Sequence, residues 1–216
     1  MKPEIDYSLY LITDRERMVH NSIEQCIEQA VLGGCTLVQL RESNVTSRTF
    51  YETALQVREV TKRLRVPLII NNRADIAVAV GAEGLHIGQK DLPYEAARRI
   101  LGPERIIGVS ANILEAAQRA EKEGADYLGV GAMFPTGTKT DAKPTSPEEL
   151  RRICQAVRIP VVAIGGINRR NISRLAGIGI GGVAVVSAIV AEIDTVNAAR
   201  ELKTQFQKLR KGGNLL

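Results

Sequence analysis

Gly124-Ala-Asp-Tyr-Leu-Gly-Val130 carries the chain from a glycine that stops a helix into a short apolar strand. The passage recurs as Gly34-Cys-Thr-Leu-Val38, Gly81-Ala-Glu-Gly-Leu-His-Ile87 and Gly179-Ile-Gly-Gly-Val-Ala-Val185, each leading into an even-numbered strand. Strands three and seven begin instead at Pro67 and Pro160. Working outward, the patterning predicts strands over 9–12, 36–40, 67–70, 84–88, 105–109, 126–131, 160–164 and 182–186. Helices are expected over 23–32, 46–64, 75–80, 94–101, 113–123, 146–157, 171–176 and 195–209. Almost wholly apolar strands separated by helices argue for a parallel sheet covered on its outer face. Eight such units with a two-unit period argue for closure. The expected fold is α/β, a (βα)8 TIM barrel in one domain over 1–216, with the barrel at about 7–209 and a short polar C-terminal tail. An open flavodoxin-like sheet is the alternative.

The bulk composition agrees with one soluble domain, because no Pro/Ser/Gly linker or low-complexity segment divides the 216 residues. Twenty-nine Lys and Arg against 24 Asp and Glu leave a net charge of +5, which favours an anionic partner. Nucleic acid fits poorly: basic residues cluster only as pairs such as Arg98-Arg99, Arg151-Arg152 and Arg169-Arg170, and without Trp there is little to stack on bases. Small phosphorylated substrates suit the charge better. Three cysteines, Cys26, Cys35 and Cys154, form no C-x-x-C pair and read as reduced thiols. No secretory h-region opens the chain, and the uncharged run 175–191 is broken by Gly177, Gly179, Gly181 and Gly182. A cytoplasmic protein with no membrane span is expected. Its oligomeric state is not legible, and a homo-oligomer stays open.

Residues 131–146, GAMFPTGTKTDAKPTS, join strand six to a helix start at Ser146-Pro147-Glu148-Glu149, where Ser caps and Pro takes the first helical position. Hydroxyls at Thr136, Thr138, Thr140 and Thr145, with Lys139 and the pliable Gly137, suit a phosphate or diphosphate. The plain alternative is a polar surface loop. What favours chemistry is recurrence, since polar residues follow every strand while the strand bodies are apolar. They include Thr13-Asp14-Arg15, Gln39 to Glu42, Asn71-Asn72-Arg73, Gln89-Lys90-Asp91, Ser110, Gly165-Gly166 and Ser187. In such a barrel these tips form the catalytic rim.

Gln39 and Arg41 share strand parity, so both can face the mouth, the arginine for phosphate and the amide for a heterocycle. A rim pair between Arg41 and Glu42 is the competing reading. Asp91 is the best Mg²⁺ candidate, although a helix cap ahead of Pro93 would also explain it. Gly165-Gly166, with backbone N–H groups after strand eight near Ser187, marks a compact phosphate site. His86 and His20 receive no catalytic task.

Taken with Gly108-Val-Ser110, Pro135-Thr-Gly-Thr-Lys139, Ile164-Gly-Gly-Ile167 and Val186-Ser187, these motifs resemble the thiamin-phosphate synthase family over nearly the whole chain. The resemblance implies a transferase of thiamine biosynthesis joining hydroxymethylpyrimidine diphosphate to hydroxyethylthiazole phosphate with Mg²⁺ and releasing pyrophosphate. It implies that Gln39 addresses the pyrimidine. Arg41, Asn71, Ser110, Thr138 and Lys139 hold the diphosphate, with Arg41, Ser110 and Lys139 carrying the catalytic charge stabilisation. Asp91 and Asn72 ligate the metal, while Thr136, Gly166, Val186 and Ser187 bind the thiazole phosphate. The implied chemistry is dissociative: pyrophosphate leaves, and the thiazole nitrogen traps a pyrimidine-stabilised carbocation. No Ser/His/Asp set is expected.

Two positions depart from the family pattern. Ser43 stands where Gln-x-Arg-x-Lys ends in Lys, and Asn72 stands where Asn-Asp-Arg has Asp. Weaker Mg²⁺ binding with retained activity follows. A thiazole tautomerase paralogue, similar in fold but lacking the Pro-Thr-x-Thr-Lys loop, is the rival reading. A non-catalytic phosphate-ligand sensor is a third.

Overall fold

The computed structural model describes residues 2–20, 22–137 and 144–212. Its strands are β1 (Leu9–Ile12), β2 (Leu37–Leu40), β3 (Leu68–Asn71), β4 (Gly84–Ile87), β5 (Ile106–Ala111), β6 (Tyr127–Val130), β7 (Val161–Ile164) and β8 (Gly182–Val185). All pair in parallel with their sequence neighbours, and β8 pairs back onto β1 with Tyr10 opposite Ala184. Closure excludes the open-sheet alternative.

The helices are α1 (Ile23–Leu32), α2 (Ser47–Leu64), α3 (Ala74–Ala79), α4 (Tyr94–Leu101), α5 (Leu114–Glu123), α6 (Pro147–Ala156), α7 (Ser187–Val190) and α8 (Thr195–Gly212). Local chemistry fixes their ends. Ser22, Thr46 and Ser146 each accept a backbone N–H of the first turn, and Pro147 follows its cap directly. Gly124, at φ 102°, ends α5 in the left-handed region that a glycine occupies without strain.

Two elements differ from expectation. The helix predicted over 171–176 is a 3₁₀ turn, Ile172–Leu175. Gly177, at φ 68°, stops the chain before an α-helical ladder can develop. The short α7 directly after β8 was not anticipated; α8 runs on to Gly212, into the tail expected after about 209, and the rest of that tail lies outside the described residues.

Strand parity divides the core. Outward residues such as Leu9, Leu11, Val38 and Leu40 pack under the helices, whereas Tyr10, Ile12, Leu37, Ile69, Ile106, Tyr127, Val162 and Ala184 fill the barrel. Cys26, Cys35 and Cys154 are free thiols, and burial pushes Cys26 and Cys154 up to about 11. Among the described residues, no helix is long and apolar enough to cross a membrane.

Candidate active site

The carboxyl ends of the strands open onto a cavity of about 700 Å³. Of the expected site residues, Gln39, Arg41, Asn71, Asn72, Asp91, Ser110, Thr136, Gly166, Val186 and Ser187 all line it. Thr138 and Lys139, and Thr140 of the same run, lie outside the described residues. A smaller side cavity of about 360 Å³ shares Thr136, Gly166 and Ser187 and is bordered by Arg169 and Arg170.

Arg41 does not pair with Glu42. Its Nη1 lies 3.2 Å from Asp14 Oδ2, while Arg15 takes Glu42 at 2.8 Å. Thr13 Oγ1 accepts the Arg41 backbone N–H at 3.0 Å, so the segment just after β1 grips the residue at both backbone and guanidinium. Asp14 is nearly buried and also faces Arg17 at 3.8 Å, and Arg17 donates to the Gly137 carbonyl of the loop after β6. One carboxylate therefore steadies both the cavity-lining Arg41 and the arginine that holds the loop.

That loop is also fastened to β7, because Met133 N donates to Ile164 O and Phe134 N to Gly165 O, each at 3.0 Å. Gly165 and Gly166 have φ of 96° and 66°, and a Cβ on Gly166 would stand 2.5 Å from Pro135 O. The paired glycines thus let two loops touch as well as expose backbone N–H groups. Asn168 and Asn171 donate to Gly166 O at 3.1 and 2.9 Å and fix that peptide. Ser187 begins α7, next to the same glycines on the cavity wall.

On the opposite wall, Asp91 Oδ2 accepts Gly88 N–H at 2.6 Å, and the N-cap position of α4 belongs to Pro93. Asn72, at φ 63°, donates its N–H to His86 O at 2.9 Å and accepts Asn71 Nδ2 on its side-chain oxygen. Among the described residues, no group of three or more His, Cys, Asp or Glu could hold a metal. One carboxylate and one amide oxygen still fit Mg²⁺, which takes one or two protein oxygens and completes its shell from phosphate and water.

Beneath these groups runs a polar connection that the sequence did not reveal. Gln39 Nε2 donates to Tyr10 Oη at 2.7 Å, Tyr10 meets Tyr127 Oη at 2.9 Å, and Tyr127 meets His86 Nδ1 at 2.9 Å. His86 Nε2 then meets Ser110 Oγ at 2.9 Å. A Ser–His pair is therefore present, but no Asp completes it into the set whose absence was expected. Its third member is a phenol that burial keeps neutral, rather than a carboxylate that would stabilise an imidazolium. The arrangement orients Ser110 and does not activate it as a nucleophile. His86 is the packed histidine expected, but it also lines the cavity, whereas His20 binds Thr195 Oγ1 at 2.8 Å elsewhere.

Comparison with known proteins bears on these features. The family model described as thiamine monophosphate synthase matches residues 9–189. The chain is 53% identical over 209 residues to a thiamine-phosphate synthase of Clostridium beijerinckii, covering 97% of this chain and 100% of the relative. It is 54% identical over 206 residues to the synthase of Ruminiclostridium cellulolyticum, covering 95% and 98%. Among solved structures, the thiamine phosphate pyrophosphorylase of Pyrococcus furiosus superposes with a TM-score of 0.87 at 39% identity, over 94% of this chain and 97% of that one.

Proposed function

The chain belongs to the thiamine monophosphate synthase family and couples a pyrimidine to a thiazole moiety to make thiamine phosphate; we propose that it does so by letting pyrophosphate depart before the thiazole attacks. The C–O bond to the diphosphate breaks with its electron pair on oxygen. The thiazole nitrogen then gives its lone pair to the pyrimidine-stabilised carbon. Nothing is oxidised or reduced, and no protein nucleophile is needed.

The observation that carries this reading is the meeting of the expected residues around one cavity with an anion-seeking group at each end. Arg41 donates charged hydrogen bonds to the departing diphosphate, with Asn71 and Ser110 beside it. The sequence adds Thr138 and Lys139 to that set. Gln39 orients the pyrimidine. Gly166, Val186, Ser187 and Thr136 hold the thiazole phosphate, so the two reactants are positioned for an effectively unimolecular step. Asp91 and Asn72 would hold Mg²⁺, which when bound would supply further neutralisation of charge on the leaving group.

The test is a crystal of the protein grown with pyrophosphate and Mg²⁺. Density joining Asp91 to a diphosphate held by Arg41 and Ser110 supports the assignment. A diphosphate bound at Gly166 and Ser187 instead would reverse it.

A further inference from the structure

The buried run Gln39–Tyr10–Tyr127–His86–Ser110 crosses the barrel from β2 to β5, joining one wall of the cavity to the other. It has been given room. Gly108 and Gly129 sit inside strands where glycine is otherwise unfavourable. A Cβ at Gly108 would fall 2.0 Å from the Tyr127 ring, and one at Gly129 would fall 3.0 Å from the His86 ring. Tyr10 and Tyr127 are 1% and 0% exposed, and burial holds both phenols protonated.

Each interior member has one proton to give and one acceptor to offer within the run. With Gln39 Nε2 donating to Tyr10, the Tyr10 proton goes to Tyr127 and the Tyr127 proton to His86 Nδ1. His86 must then carry its proton on Nε2 and give it to Ser110 Oγ, leaving the serine hydroxyl to donate into the cavity. Reversing any one bond reverses all of them. The run therefore has two states. In one, Gln39 presents its carbonyl oxygen and Ser110 a donor; in the other, Gln39 presents its NH₂ and Ser110 an acceptor.

We propose that Tyr10, Tyr127 and His86 are positioning residues that make recognition of the heterocycle and recognition of the leaving group a single event. This rests on the placement of the pyrimidine at Gln39 and of the diphosphate at Ser110 proposed above. An anionic diphosphate accepts from Ser110, so its arrival selects the first state and turns the Gln39 carbonyl toward the ring. A pyrimidine whose edge offers an exocyclic amine then fits. One with an oxo group there meets acceptor with acceptor and is refused.

The experiment compares kcat/KM for the amino-pyrimidine diphosphate with that for its oxo analogue, in wild type, Tyr127→Phe and Tyr10→Phe. Either substitution cuts the run without changing ring volume and frees the Gln39 amide to turn, so preference for the amine should fall by roughly tenfold or more. Tyr7→Phe is the control, since its ring lies 4.8 Å from that of Tyr127 but its hydroxyl is no part of the run. It should keep the wild-type ratio. Equal losses on both substrates, leaving the ratio unchanged, would overturn the proposal. Independently of turnover, ¹⁵N resonances of His86 in wild type with inorganic pyrophosphate should report the Nε2–H tautomer. The Nδ1–H tautomer would overturn it even if the phenylalanine variants fail to fold. If wild type makes no thiamine phosphate, the reaction assignment falls, while the tautomer measurement still decides the relay.

Discussion

Asp14 Oδ2 stands 3.2 Å from Arg41 Nη1 on one side and 3.8 Å from Arg17 Nε on the other. Arg41 lines the cavity, where we propose that it meets the leaving diphosphate, and Arg17 donates to the Gly137 carbonyl. A charge-assisted contact of this kind sets orientation more than it sets stability. Asp14→Asn should therefore lower kcat/KM for the pyrimidine diphosphate roughly tenfold to a hundredfold, because a slightly misplaced catalytic group costs rate steeply. Steady-state kinetics alongside circular dichroism check this. A folded variant with wild-type kcat/KM would remove Asp14 from the account.

With Asn72 as the amide ligand proposed for Mg²⁺, a carboxylate in its place would bind the metal more tightly. Asn72→Asp should shift half-saturation by Mg²⁺ to lower concentration, with activity retained at saturating metal. Identical half-saturation in the two proteins would show that Asn72 is not a ligand.

Gly166 adopts φ 66° against the Pro135 carbonyl, so a methyl group there must displace the loop after β6 or the loop after β7. Gly166→Ala is expected to raise KM for the thiazole phosphate by about tenfold or more while changing KM for the pyrimidine diphosphate much less. Asn171→Ala, which frees the Gly166 carbonyl from one donor, should produce a smaller change in the same direction. An equal rise in both KM values would place the defect outside the phosphate site.

Burial raises the thiols of Cys26 and Cys154 from the ordinary 9.0 to about 11 and holds the Tyr10 and Tyr127 phenols above their usual 10.0. Folded pKa values above unfolded ones mean that the native state binds more protons at alkaline pH. The stability they contribute is fully present below about 9 and is lost as pH rises beyond it. Urea midpoints should fall between pH 9 and pH 11, and Cys26→Ser should flatten part of that decline. A midpoint that rises over this interval would contradict the assignment of buried, protonated thiols.

Much of the barrel was legible because eight short apolar strands, six of them entered from a glycine or a proline, leave few packings open. The parity of Gln39 and Arg41 likewise placed both on the cavity wall, as expected. The turn at 172–175 was misjudged because apolar spacing alone does not distinguish a 3₁₀ turn from a short helix. Asp14 was seen only as one polar tip among many, since a carboxylate's partner 27 positions away is set by the closure of β1 on β2. Tyr10 and Tyr127 were hidden more deeply. Inside a strand an aromatic reads as core, and only the pairing of Tyr127 with Gly108 across β5 and β6 shows that space was cleared for its hydroxyl.

In the proposed reaction two anionic reactants meet in one cavity and are joined there without a covalent enzyme intermediate. Purified protein given hydroxymethylpyrimidine diphosphate, hydroxyethylthiazole phosphate and Mg²⁺ should form thiamine phosphate and pyrophosphate in equal amounts, with each product dependent on both substrates. Thiazole isomerisation without coupling, or binding of both compounds without any product, would contradict it.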